Sequence, residues 1–202
     1  SISADITVPS NLGGYPVTTI ADHAFVGCSQ LTGVTIPSGI ITIGDHAFAD
    51  CTKLKSVSIS DSVTNIGNNI FGGCTSLSGI WVNTANPGYS SDSRGVLFDK
   101  EKLVLYRAPE AISNSYTIPS GVRYINQDAF FGCGKLTAVT IPTGVTYIGE
   151  GAFYHCESLA SINIPSGVTG IEAYAFCGCT ALKSISIPNS VQSIGEFAFY
   201  RC

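Results

Sequence analysis

Methionine is absent from this 202-residue sequence, tryptophan occurs once, and charged residues make up only 12% of it. An average soluble protein carries roughly 25% charged residues, so serine, threonine, glycine and asparagine must supply much of the surface here. The ten lysines and arginines are scattered singly and the net charge is −4, which leaves no basic stripe to meet a phosphate backbone. Nucleic acid is therefore not an expected partner. No apolar run reaches the ~20 residues that cross a bilayer, and the opening SISADITVPS has neither a basic start nor an apolar core. Without an initiating methionine the chain reads as a piece of a longer protein. There is no G-x-S-x-G, no H-E-x-x-H and no phosphate-cradling glycine loop, and the fourteen acidic residues are too dispersed to single out a carboxylate pair. Neither an enzyme nor a bound cofactor is expected.

What the sequence has in abundance is repetition. A shift of 23 residues carries Ile141 onto Ile164 and Ile187, Phe153 onto Phe176 and Phe199, and Cys156 onto Cys179 and Cys202. A fixed period of this size means stacked repeats that bury their apolar faces against one another. Units lie near 8–35, 36–58, 59–81, 82–117, 118–140, 141–163, 164–186 and 187–202, the first about five residues longer than the regular ones, the fourth irregular and the last truncated. The whole chain is read as one domain. Within a unit, L-x-x-V-x-I-P alternates apolar with small polar residues and is rich in β-branched side chains, which predicts one short strand per coil, all parallel along one face. The segment before each cysteine has helical spacing and predicts an irregular or short helical turn on the opposite face, with its phenylalanine inward. The expectation is an α/β-type repeat solenoid with a phenylalanine spine.

Seven of the eight cysteines fall at one place in the repeat, so their even count is a repeat count. Side chains one coil apart stack at ~4.8 Å with parallel vectors, which seldom suits a disulfide torsion of ~90°. They read as free, buried thiols. Cys177, outside that column, is expected to face outward. The island 82–117 carries turn signals at Asn86-Pro87-Gly88-Tyr89 and predicts a hairpin: Gly95–Phe98, a corner at Asp99-Lys100, and a return at Leu103–Tyr106 that keeps Leu103 and Tyr106 in the leucine and valine slots.

The order I-P-x-x-V-x-x-I-G-x-x-A-F-x-x-C-x-x-L-x-x-I, nearly intact in Ile141–Ile162, resembles the BspA-like leucine-rich repeat family over almost the whole chain. The island is similar to that family's irregular unit NPxYSSxDGVLF…LxxYP, with Ser93-Arg94 in the D-G slot and Arg107 in place of proline. The resemblance implies a right-handed leucine-rich-repeat coil and a secreted or surface-displayed protein that adheres to host or matrix proteins. It brings no catalytic residues, because the motif consists of core positions.

Candidate contacts must then lie where copies differ. On the strand face the outward positions are small, among them Ser58, Thr140 and Asn163, except for Trp81. One exposed indole beside the island points to a protein-binding surface there, extended by Tyr106 and Arg107; the bland alternative is that Trp81 packs under the island hairpin. In the C-terminal half, Tyr124 and Tyr147 form one aromatic column, Phe131, Tyr154 and Tyr200 a second, and Tyr174 and Phe197 a third. Such rings could stack on sugars, making a glycan the alternative partner, or lie flat and shield the spine. A rigid spacer is the third reading. His23 and His46 share a repeat position and would approach within ~5 Å, but without a third ligand they read as a solvated polar column, and no metal site is expected.

Overall fold

The computed structural model describes residues 4–202. They form two compact units that divide after Lys100, and each is a parallel-strand β-solenoid. In the first unit Ala4–Thr7, Leu31–Ile36, Ser56–Ile59 and Gly79–Val82 pair in that order, all parallel. Val34, Val57 and Ile80 stand in register and are buried, as the alternation requires.

A second parallel ladder runs alongside, where the sequence reading placed only one strand per coil. Thr19–Ile20, Thr42–Ile43 and Asn65–Ile66 pair in register one coil apart. The second and third come from the x-I-G step and the first from its variant Thr19-Ile20-Ala21, with Ile20 and Ile43 buried. The glycine of that step permits the stacking distance: a Cβ on Gly67 would stand 2.6 Å from the backbone nitrogen of Asp45 in the preceding coil.

The helical turn expected before each cysteine does not form, and no helix occurs among the described residues. A ladder of turns takes its place. The N–H groups of Ala24, Val26 and Cys28 donate three residues back, to Ala21, His23 and Phe25, while those of His23, Phe25 and Gly27 donate to Asp45, Ala47 and Ala49 of the next coil. A helix would direct every N–H along its own axis and leave nothing to tie coil to coil. Two left-handed residues per coil, His23 and Gly27 at φ +59° and +71°, also break any helix. Phenylalanine and cysteine at i and i+3 point inward in either arrangement, which is why their spacing looked helical.

The extra length of the first unit is a hairpin, Asn11–Leu12 against Tyr15–Pro16. Gly13 and Gly14, at φ +60° and +88°, supply the two successive positive values that a type I′ turn demands. The island also contains a hairpin, but its arms are Tyr89–Ser91 and Leu97–Asp99. The corner therefore lies at Asp92–Gly95 rather than at Asp99-Lys100. The Asp92 carboxylate accepts from the N–H groups of Arg94 and Val96 at 2.9 and 3.0 Å and caps that turn. Asn86, fully buried, fastens the island to the coil before it. Its amide donates to the carbonyls of Ser60 and Val63, and its oxygen accepts from the N–H groups of Gly88 and Tyr89.

In the second unit Asn114–Thr117, Leu136–Thr140 and Ser161–Ile162 form the main parallel sheet, with Tyr116 buried in the slot that Val139 and Ile162 occupy in the following coils. The second ladder joins Val104–Arg107, Tyr124–Ile125 and Tyr147–Ile148, and Gly170–Ile171 pairs with Ser193–Ile194. Leu105, in register with Ile125, is the inward residue of its strand, whereas Leu103 is 43% exposed. Leu103 and Tyr106 therefore do not take the leucine and valine slots; that stretch belongs to the second ladder, and Leu105 and Arg107 point inward.

Stacked rings form a spine in each unit. Phe25, Phe48 and Phe71 stand 5.0 and 5.8 Å apart, and Phe130, Phe153, Phe176 and Phe199 repeat at 5.0 to 5.4 Å within 8° of parallel. All eight cysteines are free. The column thiols do more than fill space: Cys51, Cys74, Cys156 and Cys179 donate to the carbonyls of Phe25, Phe48, Phe130 and Phe153, one coil back, at 3.1–3.2 Å. Cys177, expected to face outward, is only 5% exposed, because the turn ladder folds aromatic neighbours around it.

Candidate functional site

Trp81 projects from the strand Gly79–Val82 and is 42% exposed. Its indole lies across Gly79, two residues earlier on the same face, so that a Cβ there would meet the ring at 2.5 Å. Gly79 is the seat that turns the ring along the sheet, and its signal in the sequence was only one small residue among several. Ser58 stands in register beside Trp81 and Thr35 beside Ser58. Together with Ser38, Ser60 and Asn83 they border an open groove of about 450 Å³. One large ring over a shelf of hydroxyls can bury apolar area at its centre and exchange hydrogen bonds around it. The ring is thus neither solvated at random nor sealed beneath the hairpin.

The remaining strand-face candidates divide. Thr140 ends its strand in register with Thr117 and keeps its side chain outward. Asn163 is engaged within the fold: its amide accepts from the N–H of Ile141 at 3.3 Å and donates to the Ile141 carbonyl at 3.1 Å. Tyr106 is half-buried in Val104–Arg107. Arg107 is 4% exposed, with its guanidinium against the Glu110 carboxylate at 2.6 Å and donating to the Asp128 carbonyl. It cannot meet a partner, because the alternation of Val104–Arg107 turns it inward, where the Glu110 carboxylate matches its charge.

Histidines 23 and 46 stack with centroids 5.2 Å apart. The neighbouring carboxylates are spent on backbone: Asp22 accepts from the N–H of Asp45, and Asp45 from that of Asn68. The histidines and Asn69 occupy the left-handed turn position, which such residues tolerate better than most. That accounts for the column without a ligand.

The aromatic columns of the second unit separate into two groups. Tyr124 and Tyr147 are register partners in the second ladder and are 49% and 42% exposed. Partial burial, then the carboxylates of Glu172 and Glu150, push the Tyr147 phenol above its ordinary value, so its surroundings are acidic. Tyr154 belongs elsewhere. It packs edge-on to Tyr174 at 6.3 Å, Tyr174 stacks on Phe197 at 5.4 Å, and Phe197 meets Tyr200 edge-on at 5.6 Å. These four rings, with His155, Arg201, Cys177 and Gly178, line a cleft of about 290 Å³. Burial raises the Cys177 thiol above its usual range, and the nearby Arg201 opposes that only in part. The rings of this cleft come from two of the columns expected from the sequence, and His155 and Arg201, which carry no aromatic column signal, are their polar companions.

The sequence profile described as "BspA type Leucine rich repeat region" matches residues 4–92 and 110–202, in six copies. Among solved structures, a leucine rich cell surface protein from Faecalibacterium prausnitzii A2-165 is 34% identical over 97% of this chain, with a TM-score of 0.85. The pneumococcal vaccine antigen PcpA is 28% identical over 91%, with a TM-score of 0.77, and the T. pallidum leucine rich repeat protein TpLRR is 32% identical over 98%, with a TM-score of 0.53. The chain spans 50%, 51% and 76% of those three proteins, respectively. No curated protein matches significantly.

Proposed function

Since the chain belongs to the BspA-type leucine-rich repeat family, we propose that it is a surface-displayed repeat module that binds another protein, a host or matrix protein, through the strand face around Trp81. The observation that carries this reading is the half-exposed indole seated on Gly79 beside the groove that Thr35, Ser58 and Asn83 border. Tryptophan is strongly enriched among residues that dominate interface energies, and burying one against a partner contributes about 2 kcal/mol or more. The small hydroxyl residues around it impose no steric barrier to a flat or gently convex surface. The Faecalibacterium relative, described as a cell surface protein, supports display outside the cell.

The test is binding of the chain to a panel of purified extracellular-matrix proteins, measured by biolayer interferometry for wild type and Trp81→Ala. The substitution is expected to weaken the bound partner about 30-fold, the equivalent of roughly 2 kcal/mol, with an unchanged thermal transition. Unchanged affinity in a folded Trp81→Ala protein would remove this face from consideration.

A further inference from the structure

The turn ladder provides an internal control on what the fold alone selects. Each regular coil has two left-handed positions, four residues apart. The first is filled by His23, His46, Asn69, Asp128, Gly151, Tyr174 and Phe197, and the second by Gly27, Asp50, Gly73, Gly132, His155, Gly178 and Arg201. Glycine, asparagine, aspartate and histidine are the residues such a backbone tolerates best, whereas bulky side chains are outliers there. Tyr174, Phe197 and Arg201 are the three that break the rule, at φ +57°, +55° and +59°. All three line the same cleft. Strained positions held by the wrong residue types gather where a site needs the side chain more than the backbone does.

We propose that this cleft binds a carboxylated pyranose, the ring of a uronic or sialic acid. Its walls, Tyr154, Tyr174, Phe197 and Tyr200, are flat apolar faces of the kind on which the C–H face of a sugar stacks, while the phenols offer hydrogen bonds to ring hydroxyls. Charge decides the class. His155 lies 3.5 Å from the Glu157 carboxylate, but Arg201, stacked on Tyr200 at 5.4 Å, makes no ion pair among the described residues. An unneutralised guanidinium at an aromatic cleft favours a carboxylate and repels a cationic ligand. The volume suits a single sugar residue. This site is independent of the Trp81 face.

The experiment is saturation-transfer NMR on the 202-residue chain with glucuronic acid, N-acetylneuraminic acid and, as the neutral control, glucose. Transfer to the ring protons of one or both acids, at millimolar concentration and well above that to glucose, is expected, and the acid that responds names the source. Arg201→Gln should weaken acid binding about tenfold, the loss of one charge-assisted hydrogen bond, and remove the preference over glucose. Phe197→Asn places a residue suited to the left-handed turn, so it should hold or raise the thermal transition while weakening acid binding about tenfold. Silence from both acids, equal transfer to glucose, or a Phe197→Asn protein that binds as wild type would each overturn the assignment.

Discussion

Arg107 and Glu110 form an ion pair at 2.6 Å with both side chains buried. Arg107 was expected to extend a surface contact, but the Glu110 carboxylate holds it in the interior. Taking a charge out of water is unfavourable by several kcal/mol unless a partner comes with it. Arg107→Ala should therefore destabilise the chain by about 3–5 kcal/mol by stranding Glu110, while the joint replacement Arg107→Met with Glu110→Leu should recover most of that loss. Urea titrations of the two variants check this; equal destabilisation by both would mean that packing rather than charge is at stake.

At the scale of elements, the spacing between coils is set by backbone meeting backbone at the x-I-G step. A Cβ on Gly149 would stand 2.6 Å from the backbone nitrogen of Gln127 and 2.8 Å from the carbonyl carbon of Asn126, and neither atom can swing aside. By contrast a Cβ on Gly134 would find its nearest neighbour at 3.9 Å. Gly149→Ala is accordingly expected to lose about 3 kcal/mol, and Gly134→Ala to stay within ~0.5 kcal/mol of wild type. Circular dichroism melts of the pair distinguish close coil approach from a general dislike of losing glycine. The same element scale explains the absent helix: a coil that must donate alternate N–H groups to its neighbour uses turns, and the turns require two left-handed residues.

For the whole molecule, the thiol ladders make stability depend on alkaline pH. Burial pushes Cys133 and Cys179 up to about 12, from an ordinary value of about 9, because each thiolate would form in the interior beside other thiols or Glu110. In the unfolded chain these thiols ionise first. The stability that comes from keeping them neutral is therefore complete below pH ~9 and is lost as pH rises towards 12, by at most roughly 1.4 kcal/mol per pH unit for each thiol. Replacing Cys133 and Cys179 with alanine should lower stability at pH 7 yet flatten its fall between pH 9 and 11 in denaturant titrations; an unchanged slope would show that other groups govern alkaline unfolding.

The repeat, the inward isoleucines and phenylalanines, the unpaired cysteines and the family were all legible in the sequence, because stacking identical coils forces identical residues onto identical core positions. The turn ladder, the second strand ladder, the buried Arg107 and the gathering of Tyr154, Tyr174, Phe197, Tyr200 and Arg201 into one cleft were decided by tertiary structure alone. Each depends on which groups of one coil face the next, on hydrogen bonds between residues some 23 apart and on a one-residue register in the island, and a pattern read along one chain records spacing but not the direction in which a side chain or an N–H points.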